Sequence, residues 1–238
     1  MKLSAPVYRL KRRARLLARE LKIPLHEALD RVARGEGCQG WSHLAGAWSG
    51  RGSARIILER LVAGDLMLLG GRPGHGKTLL GAELAAQAAR SGWSSFFFSL
   101  EDNEQCVRDR LRASGPGDGS AGASPAVDTS DEICASYIAR RFRACGGRAF
   151  AVVDYLQLLD QQRSKPDLAT QLVELSSLAR ETSSILILLS QIDRAFDPGR
   201  KRLPDLSDVR SPNPIDLALF TKSCFLHDGQ VRISAATG

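Results

Sequence analysis

The eight residues Gly71-Arg72-Pro73-Gly74-His75-Gly76-Lys77-Thr78 fit the pattern G-x-x-x-x-G-K-[S/T], and each part has a chemical reason. Glycines let successive backbone N–H groups turn inward around a β-phosphate, and a helix starting there offers its positive N-terminus to the anion. Lys77 can reach the β- and γ-phosphates, and the Thr78 hydroxyl can ligate Mg²⁺. The pattern is meaningful between a buried strand and an amphipathic helix. Here "DLMLL" precedes it and a helix over Thr78 to about Arg90 follows. Residues 71–78 are therefore read as a nucleotide-binding set that takes ATP with Mg²⁺.

Three other strand ends carry the side chains that hydrolysis would need. Asp154 closes the apolar run "AFAVVD", where a carboxylate beside the phosphate loop can hold the metal shell; an ordinary strand-end aspartate is the competing reading. Glu101 follows "SSFFFSL", where a carboxylate can orient and activate the attacking water. Asp102 competes for that role but suits the cap of the next helix better. Both acids could also simply favour that helix N-terminus.

Gln191 ends "SILILLSQ", where an amide can sense whether a γ-phosphate is present and signal to the loop behind it. That loop contains Arg194, Arg200, Lys201, Arg202 and Arg210. Such basic density suits a nucleic-acid backbone, or else a solvated charged loop. Gln157, Gln161 and Gln162 follow Asp154 and could face a strand lying over the sheet. His75 is expected at a solvent-facing loop tip. The four histidines show no metal-ligand spacing, and no Ser–His–Asp set stands out.

These residues must be positioned by alternating elements. Helices are expected at about 53–62, after Asp102, at 131–144 and at 167–182, between strands that are apolar throughout. That alternation implies an α/β fold with a parallel sheet covered on both faces. Residues 113–130, "ASGPGDGSAGASPAVDTS", have the composition of a flexible loop. Ahead of all this, Val7, Leu10, Ala14, Leu17 and Leu21 form one apolar stripe over a helix at 6–21. A second short helix at about 25–34 follows Pro24, then a third piece around "GWSHLAGAW". Two units are expected: a basic helical module over 1–48 and a catalytic domain over 51–238.

Of the net charge of +7 on 238 residues, all of it resides in the first 22 positions, where eight basic side chains face one acid, Glu20. A basic helix of this kind can grip nucleic acid, bind an acidic partner or keep a domain soluble. Five scattered cysteines without a C-x-x-C pair suggest reduced thiols in a cytoplasm. No apolar run is long enough for a membrane span, and no signal peptide is recognisable.

In order and spacing, "GGRPGHGKT", "FFFSLE", "VVDYLQLLD" and "LLSQIDRAFD…KRLPDLSDVR" resemble the ATPase domain of bacterial replicative helicases of the DnaB type, within the RecA-like superfamily. The resemblance covers about residues 50–222. It implies a RecA-like P-loop NTPase in which Glu101 is the catalytic base, Asp154 the magnesium aspartate and Gln191 the γ-phosphate sensor. It also places "DPGRKRLPDLSDVR" near the DNA-binding loops of a ring's channel, and "SPNPIDLALF" at an acidic, sheet-returning segment. Two departures stand out. The family's N-terminal domain is replaced by the short basic module, and its late Lys-x-Arg finger, which acts in trans, is not recognisable. Lys222 or Arg232 could substitute for that finger, without motif support.

The expectation from the sequence is a DNA-dependent ATPase or helicase, cytoplasmic, coupling Mg·ATP hydrolysis to single-stranded DNA binding or translocation. It would act as a homo-oligomeric ring such as a hexamer, or with a partner subunit that supplies the finger. The alternative is a nucleotide-switched helicase loader, regulator or RecA-like adaptor with no processive motor.

Overall fold

A strand that is apolar at every position has to be covered on both faces, because its side chains alternate between them. In the computed structural model, which describes residues 4–5, 7–38, 40–41, 44, 51–114, 123–159, 164–193, 195–210, 215–227 and 230–235, the sheet solves this in that way. The described helices and strands, in chain order, are α1 (Val7–Leu21), α2 (Leu25–Gly35), α3 (Arg51–Arg60), β1 (Leu66–Gly71), α4 (Lys77–Arg90), β2 (Ser94–Ser99) and α5 (Glu104–Ser114). Then come β3 (Ala126–Asp128), α6 (Ala135–Ala144), β4 (Ala149–Asp154), α7 (Leu168–Glu181), β5 (Ile185–Gln191), β6 (Lys222–His227) and β7 (Gln230–Ala235).

The strands form one sheet in the order β3-β2-β4-β5-β1-β6-β7. All neighbours are parallel except β6 and β7. Leu66 and Leu68 of β1 join Phe98, Val153 and Leu186 in a core under α6 and α7. Met67 and Leu69 point the other way and join Phe97, Val152 and Leu189 under α3 and α4. This is an α/β fold with a mostly parallel sheet and helices on both faces, as the sequence implies.

Parallel strands send their C-terminal ends to a single edge, and open α/β sheets bind ligands there. Gly71 lies opposite Gln191 in the β1–β5 register, and Ser99 lies opposite Asp154 in the β2–β4 register. Phosphate loop, sensor candidate and both acids are therefore delivered to that edge by backbone pairing alone.

Three expectations need correction. The Gly- and Ser-rich run is not loop throughout 113–130: Ser114 closes α5, and Ala126–Asp128 pairs in parallel with Phe96–Phe98 as an edge strand. Residues 115–122 lie outside the described residues. The helix expected from 131 starts only at Ala135, because Ser130 accepts from the Glu132 N–H and donates its own N–H to Asp128, holding a turn there. The hairpin β6–β7 was not foreseen as structure at all.

The N-terminal residues have their own small core, with Val7, Leu10, Ala14, Ala28, Val32 and Leu44 buried between α1 and α2. Of the third piece, Trp41 and Leu44 are helical, and positions 42–43 and 45–50 are outside the described residues. Asp30 fixes Trp41 by accepting its backbone N–H at 2.8 Å.

Candidate nucleotide site

The loop between β1 and α4 turns on two glycines with positive φ, Gly74 at 83° and Gly76 at 93°, a region costly to side chains. Gly71 is constrained differently: a Cβ there would come within 3.1 Å of the Leu226 carbonyl and 3.3 Å of the Lys77 side chain. The loop folds over Lys77, which is buried and donates to the Arg72 carbonyl at 3.2 Å. Pro73, Gly74, Gly76, Lys77, Thr78, Glu101 and Gln191 line a cavity of about 410 Å³, within the range of small-molecule sites.

Asp154 sits at the floor of this region. It is buried, and the Thr78 hydroxyl donates to its carboxyl group. Burial pushes its pKa up to about 6; the charge of Glu101 works in the same direction, while Thr78, Lys77 and Arg110 oppose. Burial likewise brings the Lys77 ammonium down to about 8, with Asp154 and Glu101 opposing. Perturbed groups converging in a cleft mark a functional site better than either group alone.

The residues fit a divalent cation. Asp154 Oδ2 is buried without a hydrogen-bond partner among the described residues, and such atoms call for one. The ligand oxygens of Glu101, Asp102 and Asp154 come within 4.8 Å of one another, and the Thr78 hydroxyl is beside them. A hard oxygen donor set of this kind suits Mg²⁺.

Several expected residues are placed otherwise than the sequence suggested. Asp102 does not cap α5: Asn103 does, accepting the Cys106 N–H at 2.9 Å, while Asp102 pairs with Arg110. His75 does not face solvent. It is buried and stacked on His227 with ring centroids 5.1 Å apart, and His227 in turn meets the edge of Phe196 at 5.2 Å. Arg72 turns away from the cavity, donating to the Phe196 carbonyl and lying over its ring. Lys222 pairs with Asp65 at 3.3 Å, and Arg232 donates to the Pro204 carbonyl at 3.4 Å. Both finger candidates are thus engaged within this chain.

The basic loop is tied to the end of β5. The Arg210 N–H donates to the Gln191 carbonyl at 2.9 Å, the Asp193 N–H to the Asp208 carbonyl at 2.7 Å, and Ile192 bridges Val209. Gln191 and Arg210 share a second cavity of about 300 Å³ with Arg72, Pro73 and Ile192. Arg200 and Arg202 are exposed. Lys201 is committed to Asp205 at 2.5 Å and Asp208 at 2.8 Å. Arg194, Gln161 and Gln162 lie outside the described residues. Gln157 faces the strand β5 rather than solvent, donating to Ser190 Oγ at 2.8 Å and to the Arg210 carbonyl at 2.6 Å.

Sequence reasoning missed two groups on the cavity wall. Arg110 projects from α5, one helical turn pair beyond Asp102, and its pairing with that acid was a readable signal. Val7, Lys11 and Trp41 come from the N-terminal module, and no local pattern announces a docking between units.

Comparison with known proteins agrees with this architecture. Residues 124–217 match the family model of the DnaB-like helicase C terminal domain. The chain is 27% identical over 195 residues to the replicative DNA helicase DnaB of Geobacillus stearothermophilus, covering 67% of this chain and 43% of that protein. It is 25% identical over 238 residues to the DnaB of Rickettsia bellii, covering 83% and 47%. The chain thus spans less than half the length of these curated relatives. Among solved structures, the ATPase domain of G40P superposes with a TM-score of 0.60 at 21% identity, covering 74% of this chain and 75% of that one. A DnaB-like replicative helicase, described with its interactions with primase, gives 0.58 at 19%, covering 73% and 52%. The fold is that of a RecA-like P-loop NTPase, and the resemblance to DnaB-type helicase domains stands. No helix among the described residues is long and apolar enough to cross a membrane.

Proposed function

We propose that this chain, similar as it is to the ATPase domain of DnaB-type replicative helicases, is a DNA-dependent ATPase that couples Mg·ATP hydrolysis to binding or moving single-stranded DNA. The observation that carries the reading is the convergence of Lys77, Thr78 and Glu101 on one cavity, with Asp154 beside Thr78 and Glu101, and with a rim residue, Gln191, bonded to the basic loop. Thr78 and Asp154 would hold Mg²⁺, which when bound neutralises phosphate charge.

The chain's own residues do the rest. Backbone N–H groups of residues 74–78 and the Lys77 ammonium bind the phosphates and fix them against β1. Glu101, at the exposed end of β2, takes the proton of the attacking water. Gln191 reads the terminal phosphate and hands the state to Arg210. Arg200, Arg202 and Arg210 would then meet the nucleic-acid backbone, with the N-terminal basic residues adding affinity. A cytoplasmic protein working as a ring, such as a hexamer, or with a finger-supplying partner subunit, fits this chemistry.

The docking of the N-terminal module on the same cavity favours a second reading: a nucleotide-switched loader or regulator whose output is the bound state rather than turnover. Hydrolysis with and without single-stranded DNA, with Lys77→Ala as the blank, separates the two. Turnover that DNA stimulates and Lys77→Ala abolishes supports the motor. Tight ATP binding with no turnover in either condition supports the switch. No nucleotide binding by the unsubstituted chain overturns both.

A further inference from the structure

The cavity above the phosphate loop is not walled by the α/β domain alone. Val7 and Lys11 of α1 and Trp41 of the same module form its opposite side. Lys11 shares this cavity with Arg110 of α5 and with Asp102 just ahead of that helix, near enough for their charges to act on it, and Arg15 follows it one turn later on α1. Burial and the charges of Arg15 and Arg110 together hold the Lys11 ammonium below the ordinary lysine range, with Asp102 opposing.

The acids nearest Lys11 are engaged elsewhere. Asp102 is already paired with Arg110, and Asp109 with Arg112 at 3.0 Å. Glu101 and Asp154 lie on the strand edge, where a divalent cation would claim them. Among the described residues Lys11 faces the cavity without an ion pair of its own, on the side opposite Lys77, and like charges so placed repel unless an anion enters between them; the charge they suit is that of a polyphosphate. Lysine meets phosphate as a compact point charge that needs no fixed fork geometry. The module that carries Lys11 is itself well built, with Leu10 and Ala14 of α1 fully buried against α2, so Lys11 is presented by a packed helix rather than a loose tail.

We propose that the N-terminal module is a lid on the nucleotide site, and that Lys11 contacts the terminal phosphates of the bound nucleotide from within the same chain. The inference rests on the nucleotide reading of the cavity. It assigns the first helix to nucleotide recognition and makes the position of the module depend on which nucleotide is bound. Val7 and Trp41 give the lid an apolar shoulder, and the Asp30–Trp41 bond holds that shoulder in place.

The test is Mg·ATP and Mg·ADP binding by titration calorimetry with the full chain and four variants: Lys11→Met, Lys11→Arg, Lys77→Ala, and Arg90→Met as a surface-charge control. A charge-assisted contact of this kind corresponds to about a ten- to hundredfold loss of Mg·ATP affinity in Lys11→Met. The expected pattern is that loss, a smaller loss for Mg·ADP, substantial retention by Lys11→Arg, and no change in Arg90→Met, with thermal midpoints of Lys11→Met and the parent alike. Equal Mg·ATP affinity in Lys11→Met, Arg90→Met and the parent, with Lys77→Ala still abolishing binding, overturns the lid and leaves the nucleotide site intact. Absence of binding in the parent chain overturns the site reading and the lid together.

Discussion

Gln157 joins the end of β5 to the basic loop: its amide donates to the Arg210 carbonyl at 2.6 Å and to Ser190 Oγ at 2.8 Å. These two bonds from one amide run beside the direct bond from the Arg210 N–H to the Gln191 carbonyl at 2.9 Å and add a side-chain link between the same two segments. Each such bond contributes about 1 kcal/mol net. Gln157→Ala should therefore leave Mg·ATP affinity within about twofold while lowering DNA-stimulated turnover about five- to tenfold. Steady-state hydrolysis with and without single-stranded DNA checks this. An unchanged stimulated rate would remove Gln157 from the coupling.

Nucleotide binding should have a pH optimum between about 6 and about 8. Binding the metal needs Asp154 ionised, and its pKa of about 6 means a proton must be expelled below that pH. Binding the phosphates needs Lys77 charged, and its pKa of about 8 means a proton must be taken up above that pH. Affinity should fall by up to about tenfold per pH unit on each side. Titrations from pH 5 to 9.5 would show it, and a flat profile would mean that neither group touches the ligand.

Asp154→Asn should stabilise the nucleotide-free chain while removing Mg·ATP binding. The folded-state pKa of about 6 lies above the ordinary 3.8. The folded chain therefore keeps a proton that the unfolded chain has lost between those values, and stability falls as pH rises through that window. At pH 7.5 the buried charge costs on the order of 2 kcal/mol, equivalent to roughly 5 °C for a chain of this size. Thermal melts at pH 3.5 and 7.5 provide the check: the gain should be present at 7.5 and small at 3.5, below both values. A loss of stability at both values would mean that the Thr78 bond outweighs the burial.

The five cations of the basic loop after β5 should not contribute equally to DNA binding. Arg202 is exposed, and Arg200 reaches Asp197 only at 3.7 Å. Lys201 spans two carboxylates and closes the loop on itself. Arg200→Met or Arg202→Met should reduce the slope of log affinity against log salt by about 0.7 each for single-stranded DNA. Lys201→Met should leave the slope alone and loosen the loop, seen as faster proteolysis between 195 and 208. Equal slopes in all three variants would exclude the loop as the contact.

The phosphate loop, its flanking strand and helix, and the acids at the strand ends were legible because their information is local. Gly76 needs positive φ, Lys77 needs a helix behind it, and "AFAVVD" is apolar until its last residue. The same holds for the alternation that gave the parallel sheet. The hairpin β6–β7 was not legible, since "KSCFLH" pairs with β1 only after more than a hundred intervening residues. His75 was misread for the same reason: its partners, His227 and through it Phe196, arrive from two distant segments. Composition misled at 126–128, where "AVD" follows a Gly- and Ser-rich run yet finds an edge beside Phe96–Phe98. Lys11 carries no local sign of its cavity, because a docking surface between two units is a property of neither sequence alone.

Gly71 and Gln191 occupy the same rung of the sheet. That rung acts as a length standard: sliding either strand by one residue would displace it about 3.3 Å and exchange its two faces, so translation is excluded as a mode of communication. The loop that follows leaves at Ile192 and returns at Val209, and these two residues bridge each other. Entry and exit therefore share a single base, and the described part of the segment between them is tied to the body at two further points, the Phe196 carbonyl to Arg72 and the Pro204 carbonyl to Arg232. The exposed Arg200 and Arg202 lie between those two points, so the span that presents them is held from the phosphate-loop side and from β7 as well as from its base.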